Sequence, residues 1–244
     1  MPLYIVATPL GNLSDISARA LETLRSVQTI AAEDTRSARR LLSAFAIPAE
    51  GKRILSYGEH NEASSAPELA RWLAQGVDIA VVSEGGTPLL SDPGYRLVRA
   101  AIDAGIAVIP LPGPCAAVAA LSASGLPVHG FIFRGFLPKK PGARRRILES
   151  LVERDETLIF YESPQRVPKV LPEFVELFGA SRPACLAREL TKIHETFTRL
   201  PLAELNEFVQ KNPPRGECTL LVAGVMRGSI TETDDVDEDA IANA

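Results

Sequence analysis

Cysteine is scarce in this chain, and charge is missing from one long stretch. Only Cys115, Cys185 and Cys218 occur among 244 residues. They lie far apart in apolar surroundings, without the paired spacing of a zinc site or disulfide framework. A reducing cytoplasm and no structural metal are therefore expected. From Ala104 to Phe133 there is no Asp, Glu, Lys or Arg. A membrane span would look similar, but Pro110, Pro112, Gly113, Pro114, Gly125 and Pro127 interrupt the run, which reads as strand, turn and buried helix. The apolar Leu3–Leu10 segment has no basic leader and stops at Gly11-Asn12, so a first buried strand is expected there and not a signal peptide. There is no dinucleotide fingerprint, no P-loop and no internal repeat.

What remains is ordinary for a globular protein with a real core: 46% hydrophobic and 23% charged residues. The formal charge of −4 argues against a nucleic-acid partner until its distribution is read. The segment from Thr231 to Ala244 alone carries six acidic residues and no basic one, and without it 26 basic residues face 24 acidic ones, a balance of +2. The question becomes whether the positive charge is clustered.

Strand-like and helix-like runs alternate through the first half, from a strand at Leu3–Ala7 to a helix at Cys115–Ala123. Between them lie, among others, helices at Ser37–Phe45 and Ala66–Gln75 and a strand at Ile79–Ser83. This repetition predicts a mostly parallel sheet covered by helices on both faces. After the turn-rich Ser124–Gly130 stretch the texture changes to a second α/β set with a mixed sheet, including a helix at Val170–Phe178. The expected division is residues 1–124, 125–228, and an acidic, disordered tail at 229–244.

Ligands of open α/β sheets bind outside the carboxyl ends of the strands, which draws attention to four loops. Thr8-Pro9-Leu10-Gly11-Asn12 follows the first strand; on these residues alone a tight turn into the next helix is the simpler account. Ser83–Gly94 packs three glycines, two prolines, two carboxylates and several hydroxyls behind an apolar strand. Capping of the next helix by Asp92, with Pro93 at its first position, explains the end of that loop but not Glu84-Gly85-Gly86-Thr87. Leu111–Ala116 opens a helix of small residues, fit for close approach by a ligand or by another backbone. Phe160–Arg166 ends a second-domain strand, as a capped solvated turn or as a binding loop.

Taken together, these loops resemble the tetrapyrrole methylase superfamily. The resemblance is carried by Thr8-Pro9-Leu10-Gly11-Asn12, Ala32-Glu33-Asp34-Thr35-Arg36, Gly86-Thr87-Pro88 with Ser91-Asp92-Pro93-Gly94, Gly113-Pro114, Phe133–Pro138, Tyr161-Glu162-Ser163-Pro164 and Arg188–Lys192. It spans roughly Leu3 to Val225. Within the superfamily the chain is most similar to the branch that methylates a 2′-hydroxyl on a decoding-centre cytidine of 16S ribosomal RNA. Glu84-Gly85 stands where that pattern reads Asp-Ala, Cys115 where it reads Ser, and Gln165 where His is common. Glu84 keeps the carboxylate, and Cys115 keeps the size but not the hydroxyl.

The resemblance implies a class III S-adenosylmethionine-dependent methyltransferase of two α/β domains, needing no metal and no membrane, that works as a homodimer on rRNA in the 30S subunit. It implies that Pro9, Leu10, Glu84, Gly85, Gly86, Thr87, Cys115, Ala116, Tyr161, Ala187 and Cys218 surround the cofactor. Transfer to oxygen needs an in-line arrangement and a base. Asp34 and Arg36 follow the second strand, and Glu189 and Lys192 follow a second-domain strand, so both sets are catalytic candidates, with surface ion networks as the competing account. For RNA the candidates are Lys139, Lys140, Arg144, Arg145 and Arg146, five positive charges beside Phe136-Leu137-Pro138; a solvated loop fits their composition equally. Two further readings stay open: a tetrapyrrole C-methyltransferase with an apolar trough in place of a basic rim, and a binding module without catalysis.

Overall fold

A computed structural model describes residues 1–225; the acidic tail expected at 229–244 lies outside the described residues. The first sheet contains β1 (Leu3–Val6), β2 (Thr29–Ala32), β3 (Arg53–Ser56), β4 (Ile79–Val82) and β5 (Val108–Leu111) in the order β3-β2-β4-β1-β5. All its pairings are parallel. Strands β2 and β4 are buried along their whole length, as strands covered on both faces must be. Helices α1 (Ala18–Ser26) and α2 (Thr35–Ala44) cover one face through Leu24, Ala38 and Leu42, and α3 (Glu62–Ala74) and α4 (Tyr95–Asp103) the other through Leu69, Leu73 and Leu97.

The second sheet has the order β6-β7-β10-β8-β9. Its strands are β6 (Phe131–Phe136), β7 (Thr157–Glu162), β8 (Pro183–Arg188), β9 (Thr196–Pro201) and β10 (Cys218–Val222). Only β6 and β7 pair in parallel, so the sheet is mixed, as expected from the sequence. Helices α6 (Pro141–Glu149), α7 (Val167–Phe178) and α8 (Leu202–Lys211) pack on one face around Phe160, Phe174 and Leu205. The other face is covered by α5 (Ala116–Ser122), whose Ala117, Ala120 and Leu121 meet Ile159, Cys185, Ala187 and Leu221. Thus α5 follows the last strand of the first sheet in the chain but packs on the second sheet.

Three local departures from the sequence pattern have physical causes. Helix α7 starts three residues before the expected Val170, because Pro168 occupies its first turn, where a missing N–H costs nothing. Helix α3 starts four residues before Ala66, with Pro67 inside it. Asp92 does not cap α4: the helix begins at Tyr95 behind Gly94, and Glu62 Oε1 on α3 accepts from the Gly94 and Arg96 amides at 3.0 and 2.9 Å. The Asp92 carboxylate is thereby left for another use. Among the described residues no helix is long and apolar enough to cross a membrane.

Candidate active site

The four loops singled out in the sequence are tied together by hydrogen bonds. Thr8 and Gly86 exchange amide–carbonyl bonds of 2.9 Å in each direction, which joins the loop after β1 to the loop after β4. Gly86 has φ +90°, and a Cβ there would stand 3.1 Å from Leu10 Cδ2, so the close approach selects glycine. The Thr87 hydroxyl donates to Pro114 O at 2.9 Å, adding the loop after β5. The Ala117 amide at the start of α5 donates to the Tyr161 hydroxyl at 3.1 Å, adding the end of β7 from the second domain.

Between these loops lies a cleft of about 470 Å³. Of the residues expected around a cofactor, Leu10, Glu84, Gly85, Gly86, Thr87, Cys115, Ala116, Tyr161 and Cys218 line it. Two do not. Pro9 borders a neighbouring cavity of about 320 Å³, and Ala187 is fully buried beneath α5. An apolar wall is formed by Tyr161 and Phe136 and backed by Phe133; the Phe133 and Phe136 rings meet the Tyr161 ring edge to face at 4.8 and 5.7 Å.

The cleft also carries acidic groups. Glu33, Glu84 and Asp92 all face the cleft, and none forms an ion pair among the described residues. Burial, and next the charge of Glu84, raises the Glu33 carboxyl above its ordinary value. Burial and the charges of Glu33 and Glu84 push Asp92 up to about 6, against the pull of the neighbouring Ser83 hydroxyl. The turn that holds Asp92 is strained: Leu89 and Ser91 have φ of +74° and +70° without being glycine. It is wedged against the second domain, where a Cβ on Gly135 of β6 would collide with Ser91 Oγ.

The four catalytic candidates stand elsewhere. Asp34 caps α2, accepting from the Arg36 and Ser37 amides at 2.6 and 3.3 Å, and pairs with the largely exposed Arg36 guanidinium at 3.3 Å. Those hydrogen bonds hold its carboxyl below the usual range. Lys192 Nζ bridges Glu189 and Glu217 at 2.9 and 3.0 Å, and its stem covers Gly11 of the first loop. With the Asn12 amide donating to Thr191 Oγ1 at 3.1 Å, this group clasps the two domains together. Neither pair lines the cleft, although Glu33, Ser37 and Glu217 beside them do.

Sequence reasoning missed Asp92 as a cleft residue because a helix cap accounted for it; the clue was Gly94, which can end a turn by itself. The basic stretch is divided by the structure. Arg144 is drawn onto Glu173 of α7 at 2.5 Å, both side chains mostly buried, and Arg145 bridges Glu149 and Glu176 at 2.9 and 2.8 Å. Lys139, Lys140 and Arg146 are exposed and have no ion pair among the described residues. Arg166 Nη2 fixes the turn before them by donating to Leu137 O and Pro138 O at 3.0 and 3.1 Å.

Residues 2–206 match the family model described as Tetrapyrrole (Corrin/Porphyrin) Methylases. A Pseudomonas aeruginosa protein named ribosomal RNA small subunit methyltransferase I is 50% identical over 224 residues, covering 91% of this chain and 78% of its own. The protein of the same name from Escherichia coli O157:H7 is 50% identical, with 91% and 77% covered. Among solved structures, the methyltransferase CobJ superposes with a TM-score of 0.70 at 21% identity over 92% of this chain and 94% of its own. A uroporphyrin-III C-methyltransferase from Thermus thermophilus, solved with S-adenosyl homocysteine, gives 0.65 at 19% identity over 91% and 97%. At those identities the two structures establish the fold, while the closer sequence matches place the chain more finely: it belongs to the tetrapyrrole methylase family and, within it, to the ribosomal RNA small subunit methyltransferase I group.

Proposed function

We propose that the protein transfers a methyl group from S-adenosylmethionine to the ribose 2′-hydroxyl of a decoding-centre cytidine in 16S rRNA. We further propose that it acts on the 30S subunit, in the cytoplasm, as a homodimer. Half-identity to rRNA methyltransferases over nine-tenths of the chain carries this reading; the tetrapyrrole enzymes resemble it at 19–21% identity. The cleft suits the cofactor chemically. S-adenosylmethionine carries a sulfonium and an α-ammonium, and Glu33, Glu84 and Asp92 offer carboxylates without a protein cation to neutralise them. The glycine approach at Gly85-Gly86 leaves backbone groups open to a flat ligand, and Leu10 and Tyr161 supply apolar surface.

When bound, the cofactor supplies an electrophilic methyl group. The chain's own share is to line up the hydroxyl, shed water from the Tyr161–Phe136 side, and accept a proton. Asp92 is the residue we assign to the proton. It faces the cleft, is spared from helix capping, and is raised into a range useful to a base near neutral pH.

The test is transfer of labelled methyl from S-adenosylmethionine to 30S subunits lacking their own modification, followed by nuclease digestion and nucleoside analysis. Label in 2′-O-methylcytidine is expected. Label absent from RNA while the cofactor binds would overturn the assignment and revive the tetrapyrrole reading.

A further inference from the structure

Beside the cleft, a second cavity of about 320 Å³ has no part in the chemistry above. Ser37 and Glu84 belong to both, so the two cavities share a wall. The second is floored by the Thr8-Pro9 turn and bounded by α2 through Ser37, Arg40, Leu41 and Ala44. On a helix of 3.6 residues per turn, positions 36, 39 and 40 fall within about a third of the circumference, adjoining the arc that holds 37, 41 and 44. Arg40 therefore stands at the cavity's edge, and Arg36 and Arg39 continue the positive arc from it round the exposed face of α2, away from the cavity.

All three are exposed, the Arg36 side chain at 87%. Only Arg36 has a carboxylate partner among the described residues, and Arg40 Nη2 donates to the Ser37 hydroxyl at 2.9 Å. Three arginines on one face of a ten-residue helix repel one another and contribute nothing evident to the fold. Meanwhile the stretch expected to hold RNA has two of its five charges taken up by Glu173, Glu149 and Glu176. Lys139 and Lys140 follow the cleft residue Phe136 on the second domain, and Ser37, beside Arg36 on α2, lines the same cleft from the first.

We propose that the second cavity and the α2 arginines bind the RNA strand next to the methylated nucleotide, a flanking nucleotide entering the cavity and its phosphates meeting Arg36, Arg39 and Arg40. The proposal rests on the rRNA reading above. An arginine row suits phosphodiesters because each fork can meet phosphate oxygens in pairs. The shared wall would let one strand present its ribose to the cleft and the adjoining nucleotide to the second cavity.

The experiment compares the full chain with R39A/R40A, using fluorescence anisotropy of a labelled single-stranded RNA of decoding-region sequence between 50 and 200 mM salt. Cofactor affinity and melting temperature are measured alongside, and Lys211→Ala on α8, which lines neither cavity, serves as the control. Loss of two phosphate contacts lowers the slope of log affinity against log salt by about 1.4, so the wild-type affinity falls about 7-fold further than the variant's across that range. Lys211→Ala should leave the slope alone. Weaker RNA binding with the wild-type slope, or no weakening at all, would overturn the site. If the oligonucleotide is not bound, the same comparison is run on 30S subunits lacking the modification; a wild-type chain that binds S-adenosylmethionine but neither of these RNAs would overturn the rRNA reading itself, and the site with it.

Discussion

The hydroxyl oxygen of Tyr161 accepts from the backbone amide of Ala117 at 3.1 Å. A strand end of the second domain thereby satisfies a donor in the first turn of α5, one of the amides that a helix leaves without an internal partner. Burial pushes the phenol well above its ordinary range, so it stays neutral at every pH of interest. Removing the hydroxyl in Tyr161→Phe keeps the ring against Phe133 and Phe136 but strands that amide. A stability loss of about 1–2 kcal/mol is expected, read by chemical denaturation. Cofactor affinity, read by calorimetry, should fall several-fold, since the same turn carries Cys115 and Ala116 into the cleft; wild-type stability and affinity together would refute the link.

The assignment of Asp92 to the proton predicts a pH profile. A base with its free-enzyme value near 6 is protonated and inactive below that pH, so kcat/KM should rise with pH through about 6 and level off above it. With the cationic cofactor bound, the rise in kcat should move to lower pH, because a positive neighbour favours the carboxylate. Asp92→Asn should cost about 100-fold or more in kcat and abolish the limb near 6. Retention of that limb in Asp92→Asn would assign it to another group, with Glu33 the next to test.

Arg144 is expected to matter for folding and not for RNA. Arg144→Ala leaves the Glu173 carboxylate mostly buried without its partner, a change of about 3 kcal/mol or more. Replacing both partners by Met and Leu should restore most of that stability, with the salt dependence of RNA binding unchanged throughout. Urea unfolding of the three variants measures the first, and anisotropy titrations the second.

Lys139→Ala with Lys140→Ala should act in the opposite way. Both ammonium groups are exposed and unpaired among the described residues, so stability should change by no more than about 0.5 kcal/mol. RNA affinity should drop, and the salt slope with it. A melting temperature several degrees lower, with unchanged RNA binding, would give these lysines a structural role instead.

Much of the fold was legible from period and punctuation. The β2 and β4 runs, apolar but for Thr29, told of burial on both faces. The cofactor loops were legible as loops, because glycine and proline mark backbone geometry locally. What stayed hidden depends on residues distant in sequence. Nothing near Asp92 announces that Glu62, thirty residues earlier, caps α4 in its place. Nothing near Arg144 announces Glu173. Ala187 is placed near the cofactor by the resemblance alone, and in the structure its side of the sheet is covered by α5.

That placement of α5 has a consequence for any attempt to recombine this protein. The helix is tethered to one half and packed on the other, so a chimera joined after Ser124 would set a foreign helix against a second sheet whose Ile159, Cys185 and Leu221 are fitted to Ala117, Ala120 and Leu121. The heritable module begins upstream of the turn at Gly113, where a Cβ would press within 2.8 Å of Ala7. The natural seam of the molecule therefore runs through the floor of its own cleft, and exchanging substrates by swapping halves means rebuilding the pocket each time.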